Sequence, residues 1–355
     1  MLPLFEHYPG LAASLAHLEL GVFPTPVHPL EKLSGHLGRT ELYIKRDDLS
    51  GTLYGGNKIR KLEFLLADAR KQGYRRVLTS GAAGSNHALA TALYSRQCGI
   101  DCTLMLFTQP QDPAIAGQLL ADYSTGAAMF HDAAYPEHLR HLEVQMAHHA
   151  AEEGKLPYHI PAGGSSAVGA VGFVNAAFEL ADQIRQGLLP QPAAVFVTLG
   201  TMGTAAGLLL GLAAAGLTTT LVTVRVVPEA VAGRSKLEAL FNQVNTLLSD
   251  ADPSFPRVDF NAAAFEIKDD YFGTGYGVPT VPCREAINIF GAADAIALDP
   301  VYTGKTAAAF LDAVRIGQFG SRPLLFWHTK SARPAPQTTV DYHSLPPEFH
   351  TYFQE

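Results

Sequence analysis

The sequence predicts an α/β fold in which mostly parallel sheets are flanked by helices. Three observations carry that expectation. Short β-rich runs alternate with segments of helical periodicity along most of the chain. Two of those runs end in glycine-containing turns that open directly into a helix, at 79–90 and at 193–212. The 355 residues are too many for one small core and suit one large or two medium domains.

Candidate strands are Arg76–Ser80, Cys102–Phe107, Ala128–His131, Val195–Leu199, Leu221–Val227, Ala295–Leu298 and Leu324–His328, with a strand-like run at Tyr43–Lys45. Helices fall between them. From Asn57 to Gln72, the apolar residues Ile59, Leu62, Leu66 and Ala69 recur at spacings of three and four. A second helix begins at Ser85 and places Leu89, Ala92 and Leu93 on one face. Asn57, Ser85 and Thr204 are residue types that cap helix starts. The stretch Ala205–Leu221 is rich in Gly, Ala and Thr and reads as a buried helix rather than a membrane span. Residues Ala251–Phe265 read as an irregular surface excursion, and the Pro-rich tail Ser331–Glu355 as a wrap over the surface.

Hydrophobic residues make up 47% and charged residues 17%, a globular rather than a disordered balance. The net charge of -7, with basic residues scattered, argues against nucleic-acid binding, which needs a basic face. Three cysteines, Cys98, Cys102 and Cys283, argue against a disulfide scaffold and for a reducing, cytoplasmic setting. The first ten residues lack the basic start and apolar run of a signal peptide. His131, His138, His141, His148 and His149 raise the question of a metal. No carboxylate falls at the spacing of a zinc motif, so a solvated helix face is the expectation and no metal is assigned.

Three segments carry possible chemistry. At 43–63, a loop with Gly51, Gly55 and Gly56 leads to Lys58 at a helix start, with Lys61 one turn on. A lysine there opposes the helix dipole, and a positive field lowers its pKa toward the neutral amine that Schiff-base chemistry needs. Taken alone, the segment reads first as two exposed helix lysines. At 193–212, the turn Gly200, Thr201, Met202, Gly203 and Thr204 offers free N–H groups and a helix N-terminus to an anion. It matches neither a Walker A loop nor a dinucleotide fingerprint. A monophosphate cup and a plain tight turn are equally good readings of it. At 79–90, Ser85, Asn86 and His87 open a helix where α/β proteins bind ligands, or simply cap it. Ser85 is not a hydrolase elbow, because Ala83 and His87 stand where glycines are needed. A reactive lysine, an anion cup and a polar helix start together describe a pyridoxal phosphate site.

The motifs also carry a family resemblance. KRDDLSGTLYGGNKIRKLEFLLADA, GSNHALA, IPAGGSSAVGAVGFVNAAFEL, FGTGYGVPT and LDPVYTGKTAAAFLDAVRIGQF resemble elements of the fold-type II pyridoxal-phosphate enzymes. The branch they resemble contains D-cysteine desulfhydrase and 1-aminocyclopropane-1-carboxylate deaminase. The likeness covers Arg46 to about Thr329. It implies a two-domain, tryptophan synthase β-like architecture, with a large domain at 1–72 and 173–355 and a small one at 73–172. It also implies a homodimer with the cofactor in the interdomain cleft.

Residue by residue, the resemblance implies that Lys58 bonds the cofactor and moves protons, while Lys61 and Gly200–Thr204 hold its phosphate. Asn86 would meet its 3'-oxygen, Tyr302 its ring and Thr329 its pyridine nitrogen. The substrate would lie against Ser85, Asn86, His87, Tyr276 and Thr303. Thr303 stands where deaminases of the branch tend to have Glu, which favours the desulfhydrase side. The implied reaction on a small amino acid is β-elimination to a 2-oxo acid and ammonia, with sulfide leaving from D-cysteine. A 1-aminocyclopropane-1-carboxylate deaminase, a cysteate sulfo-lyase-like enzyme and a cofactor-binding paralogue with little turnover are the alternatives. Gly84 replaces the branch's usual Gln, and Lys330–Ser331 replaces its two glycines.

Overall fold

Parallel strands dominate both sheets of the computed structural model, which describes residues 1–39 and 41–354. In chain order the strands are β1 (Val27–Pro29), β2 (Leu42–Lys45), β3 (Arg76–Ala82), β4 (Asp101–Phe107), β5 (Ala128–Asp132), β6 (Tyr158–Ile160), β7 (Ala194–Leu199), β8 (Thr220–Arg225), β9 (Phe265–Lys268) and β10 (Leu324–Trp327). The larger sheet runs β1-β2-β10-β7-β8-β9, and only the β1–β2 pair is antiparallel. The smaller sheet, β5-β4-β3-β6, is wholly parallel.

The helices that matter for the site are α1 (Lys58–Lys71), α2 (Asn86–Gln97), α3 (Tyr135–Glu153), α4 (Ala167–Arg185), α5 (Gly203–Ala214), α6 (Val281–Asp294) and α7 (Thr303–Arg315). Strand periodicity distributes the core. Val195, Val197 and Leu199 of β7 face α4 and α5, while Ala194 and Phe196 face α6 and α7. Helices therefore cover both faces of the larger sheet, as a parallel sheet requires. The helix α5 lies so close to α4 that a Cβ on Gly207 would sit 2.3 Å from the Ala170 carbonyl oxygen.

A buried ion cluster fixes α1 against the larger sheet. The Arg60 guanidinium donates to Asp47 Oδ1 at 2.7 Å and Oδ2 at 2.9 Å, and to both oxygens of Glu179 at 2.9 Å. Lys45 of β2 adds a 2.5 Å contact to Glu179, and the Trp327 indole donates to Asp47 at 2.8 Å. Every charge here is paired, which is the condition for keeping it inside.

Several sequence expectations need correction. Ala295–Leu298 is not a strand; it links α6 to the Asp299 turn, begins at a left-handed Ala295 and has no ladder partner among the described residues. The buried helix ends at Ala214 rather than Leu221, because Gly216 turns the chain at φ 72 and β8 begins at Thr220. Thr204 lies inside α5, whose N-cap is Met202 in a left-handed conformation. Asn57 precedes α1 without a side-chain cap bond; its amide donates to Thr204 Oγ1 at 3.0 Å instead. Ser85 does cap α2, accepting from Ala88 N at 3.2 Å. In 251–265 the chain forms a short 3-10 turn at Phe260–Ala262 and enters β9 at Phe265. The tail is not only a surface wrap. Leu345 and Phe349 are buried in the core that Leu89, Leu93 and Leu119 also form. Glu355 lies outside the described residues.

The histidines on and before α3 go to side-chain partners. His138 and His141 both bond Asp132, and His149 Nε2 lies 3.0 Å from Thr103 Oγ1. Among the described residues no group of three His, Cys, Asp or Glu side chains is arranged to hold a metal, and no helix is long and apolar enough to cross a membrane.

Candidate active site

The C-terminal ends of β3, β6, β7, β8 and β10 converge on one cavity of about 1040 Å³. Its position at the carboxyl edges of two parallel sheets is where α/β folds bind ligands. The wall segment that carries Lys58 is set by backbone contacts. Gly55 N donates to Ser331 Oγ at 2.9 Å, and Asn57 N donates to the Thr329 carbonyl at 3.0 Å. Gly56 sits between them at φ 90, and a Cβ there would lie 2.8 Å from the Thr329 oxygen. Only glycine lets the loop lie this close in that conformation.

Lys58 lines the cavity, and burial pushes its ammonium down to about 8 while Asp299 opposes the shift. Lys61 is buried one turn on and donates to the Gly163 carbonyl at 2.9 Å. Burial, and then the charge of Lys58, holds Lys61 well below the usual lysine range. Neither ammonium is ion-paired among the described residues. Two adjacent buried lysines without a counter-ion are a costly arrangement that a bound anion relieves.

The anion cup stands beside them. Gly200, Thr201, Met202 and Thr204 line the cavity at the start of α5, and Gly203 lies just behind. Ser165 completes the corner: its hydroxyl donates to Thr201 Oγ1 at 2.8 Å and accepts from Gly203 N at 3.0 Å. A helix N-terminus, these hydroxyls and the Lys61 ammonium fit a phosphate dianion. With Lys58 reachable from the same cavity, the residues present fit pyridoxal phosphate.

Ser85, Asn86 and His87 also line the cavity, at the start of α2. Asn86 accepts from the Tyr54 hydroxyl at 2.5 Å. His87 turns inward: Nε2 lies 3.0 Å from Thr79 Oγ1, and burial and then the two lysines push its imidazole well below the usual histidine range. It therefore borders the lysine side of the cavity as a neutral ring. Tyr276 and Tyr302 also line the cavity and share a hydroxyl-to-hydroxyl hydrogen bond, with ring planes 69° apart. Burial raises both phenols, Tyr302 the more strongly. Thr329 lines the cavity below the lysine loop.

Thr303 is a sequence-derived candidate that does not line the cavity. It is buried at the start of α7, and its hydroxyl donates to Asp299 Oδ2 at 2.6 Å. Asp299 also accepts from the N–H groups of Val301, Tyr302 and Thr303, so position 303 shapes the turn that carries Tyr302. At Gly84, Gln109 fills the vacant side-chain space. Its amide accepts from Gly84 N at 3.2 Å, and its nitrogen would lie 2.8 Å from a Cβ there. Sequence reasoning missed Tyr54, Ser165 and Asp299. Each stood within a quoted motif, but only the folded geometry assigns it a partner.

Comparison with known proteins agrees with this geometry. Residues 18–330 match the family described as pyridoxal-phosphate dependent enzyme. The chain is 37% identical over 325 residues to the D-cysteine desulfhydrase of Salmonella newport (strain SL254), spanning 89% of this chain and 94% of that protein. The D-cysteine desulfhydrase of Salmonella heidelberg (strain SL476) matches to the same extent. A solved ACC deaminase homologue superposes with a TM-score of 0.80 at 33% identity, over 94% of this chain and 96% of that one. The threonine deaminase isoform 2 of Solanum lycopersicum shares the fold, with a TM-score of 0.60 at 16% identity over 99% of this chain and 87% of that one. Sequence, fold and the paired lysines at the anion cup agree that the chain belongs to the pyridoxal-phosphate dependent enzymes of fold type II.

Proposed function

We propose that this enzyme is a lyase that eliminates the β-substituent of a small amino acid and releases a 2-oxo acid and ammonia. D-cysteine is its most favoured substrate, giving pyruvate and sulfide. The observation that carries the reading is that Lys58, the anion cup, the Ser85–Asn86 helix start and the hydrogen-bonded Tyr276–Tyr302 pair all line one cavity. Its likeness to the D-cysteine desulfhydrases supports the choice of reaction.

When bound, pyridoxal phosphate drains electron density from the substrate Cα, which makes that proton removable. Lys61, Ser165 and residues 200–204 would hold its phosphate, Asn86 would meet its 3'-oxygen and Thr329 its ring nitrogen. A neutral hydroxyl at Thr329 supports a protonated ring nitrogen less than a carboxylate would, which suits rapid elimination. Lys58 is the amine that takes the Cα proton, and a group pushed down to about 8 exchanges protons readily near neutral pH. The N-terminus of α2 orients the substrate carboxylate through the first-turn N–H groups of Asn86 and His87 and through the helix dipole. Tyr276 and Tyr302, kept as phenols by burial, offer a protonated hydroxyl pair to the same cavity.

The likeness to an ACC deaminase homologue favours a second reading, opening of 1-aminocyclopropane-1-carboxylate. Purified holoenzyme should release pyruvate from D-cysteine faster than from L-cysteine or cysteate, and faster than it releases 2-oxobutanoate from the cyclopropane. A preference for the cyclopropane would select the second reading. No 2-oxo acid from any of the four would remove both. The same reading makes the protein a cytoplasmic homodimer, which sedimentation of the holoenzyme and cell fractionation test.

A further inference from the structure

Outside the lysine wall, the cavity is bordered by a second polar array on the smaller sheet. Ser80 near the end of β3 and His138 on α3 both line it. His138 Nε2 lies 3.0 Å from Ser80 Oγ, and His138 Nδ1 lies 3.0 Å from Asp132 Oδ2 at the end of β5. The other oxygen of Asp132 meets His141 Nδ1 at 2.8 Å. Ser80, His138 and Asp132 are all buried, and Ser80 and His138 are the two members of the array that line the cavity. Around them the wall is mainly apolar, from Phe107, Ala133, Leu139 and Leu142. The adjoining Gly81 backbone passes under the α2 start, where a Cβ would lie 2.5 Å from Ser85 Oγ. An Asp–His–hydroxyl chain of this geometry passes protons, because the carboxylate stabilises the imidazole when it is doubly protonated.

We propose that Asp132, His138 and Ser80 form a proton relay that delivers a proton to the departing β-substituent of the substrate. The proposal rests on the elimination reading above. The need for it is chemical: a thiolate expelled against an apolar wall is poorly solvated. In the step, Lys58 takes the Cα proton and the Cα–H electron pair becomes the Cα–Cβ double bond. The Cβ–S bond breaks with its pair going to sulfur. Sulfur takes the proton of Ser80 Oγ, and His138 Nε2–H restores that hydroxyl. His138 keeps its Nδ1 contact to Asp132, and a proton from water replaces the one given up at Nε2 before the next turnover. Ser80 is the catalytic residue of the relay, and His138 and Asp132 are positioning residues behind it. The substrate class is an amino acid whose β-substituent leaves as a basic anion, such as a thiolate.

Leaving-group dependence tests this. Chloride departs without a proton, so β-chloroalanine should bypass the relay that cysteine and S-methylcysteine need. The Ser80→Ala and His138→Gln holoenzymes should lower the ratio of kcat/KM for either sulfur compound to kcat/KM for β-chloroalanine by about tenfold or more, since general acids contribute about 10²–10⁴-fold. Ser80→Thr should restore the ratio. The absorption band of bound cofactor checks that each variant is folded and loaded, and Ser80→Ala alone decides the matter if His138→Gln does not fold. An unchanged ratio, or equal losses on both substrate types, overturns the relay while leaving the elimination reading intact. A wild-type enzyme that makes pyruvate from none of these compounds overturns both.

Discussion

The Tyr54 hydroxyl donates to Asn86 Oδ1 at 2.5 Å, across the junction of the lysine loop and the start of α2. Tyr54 is itself held, since its carbonyl accepts from Tyr94 Oη at 2.7 Å. With its oxygen occupied, the Asn86 amide presents its nitrogen as a donor to the cavity. Tyr54→Phe should release that orientation without opening the core. A lost hydrogen bond of about 0.5–1.5 kcal/mol predicts roughly two- to tenfold weaker cofactor binding. Titration of the apoprotein with pyridoxal phosphate measures it, and an unchanged affinity would count against a positioning role for Tyr54.

Lys58 should show its burial in the pH dependence of cofactor capture. Only the neutral amine attacks an aldehyde, and burial pushes this group down to about 8. The reconstitution rate should therefore climb as pH rises toward about 8 and flatten above it, whereas an exposed lysine would keep climbing to about 10.4. Stopped-flow absorbance on apoprotein gives the profile. Lys58→Ala should lack the covalent cofactor band altogether and lose about three orders of magnitude or more in turnover.

Much of this was legible before folding. The strands at 76, 102, 128, 195, 221 and 324 announce themselves as short, mainly apolar runs, as buried parallel strands require. The short strands β6 and β9 have only three and four residues, too few for a periodic signal. Ala295–Leu298 has a strand's composition, but α6 ends at a left-handed residue and the chain never reaches a ladder. At the site, glycine turns and lysine spacing were readable because they are local. Thr303 could not be read correctly, since the direction of its hydroxyl depends on Asp299. The Ser80–His138–Asp132 array was invisible, because its members come from three separate elements.

The Glu179 cluster predicts how acid unfolds the protein. Burial alone would raise this carboxyl, but Arg60 and Lys45 overcome it and hold the group at about 2, below its ordinary 4.5. A depressed carboxyl contributes stability that is complete above its unfolded value and is lost as pH falls through the folded one. Stability should thus decline as pH drops from about 4.5 toward about 2. Glu179→Gln should lose about 3–5 kcal/mol at neutral pH, because Arg60 and Lys45 would remain buried with one carboxylate fewer. Urea unfolding of both proteins between pH 3 and pH 7 checks the sign, and the variant's profile should be the flatter of the two.

Gly207→Ala sets two magnitudes against each other. In an isolated helix alanine is favoured over glycine by about 1 kcal/mol, so propensity alone predicts a gain. In α5, however, the new Cβ would lie 2.3 Å from the Ala170 carbonyl oxygen and 2.6 Å from Phe173 Cβ. Both are on α4, and the first belongs to its backbone, which cannot rotate away as a side chain could. The two helices must separate, and overpacking of this kind costs about 1–3 kcal/mol or more. The close approach should win, so the variant should unfold at lower temperature than wild type. The effect should extend to the site, because α5 carries the anion cup at its start and α4 carries Glu179. Cofactor affinity should fall together with stability. A stabilised Gly207→Ala protein would mean that propensity outweighs the contact between α4 and α5.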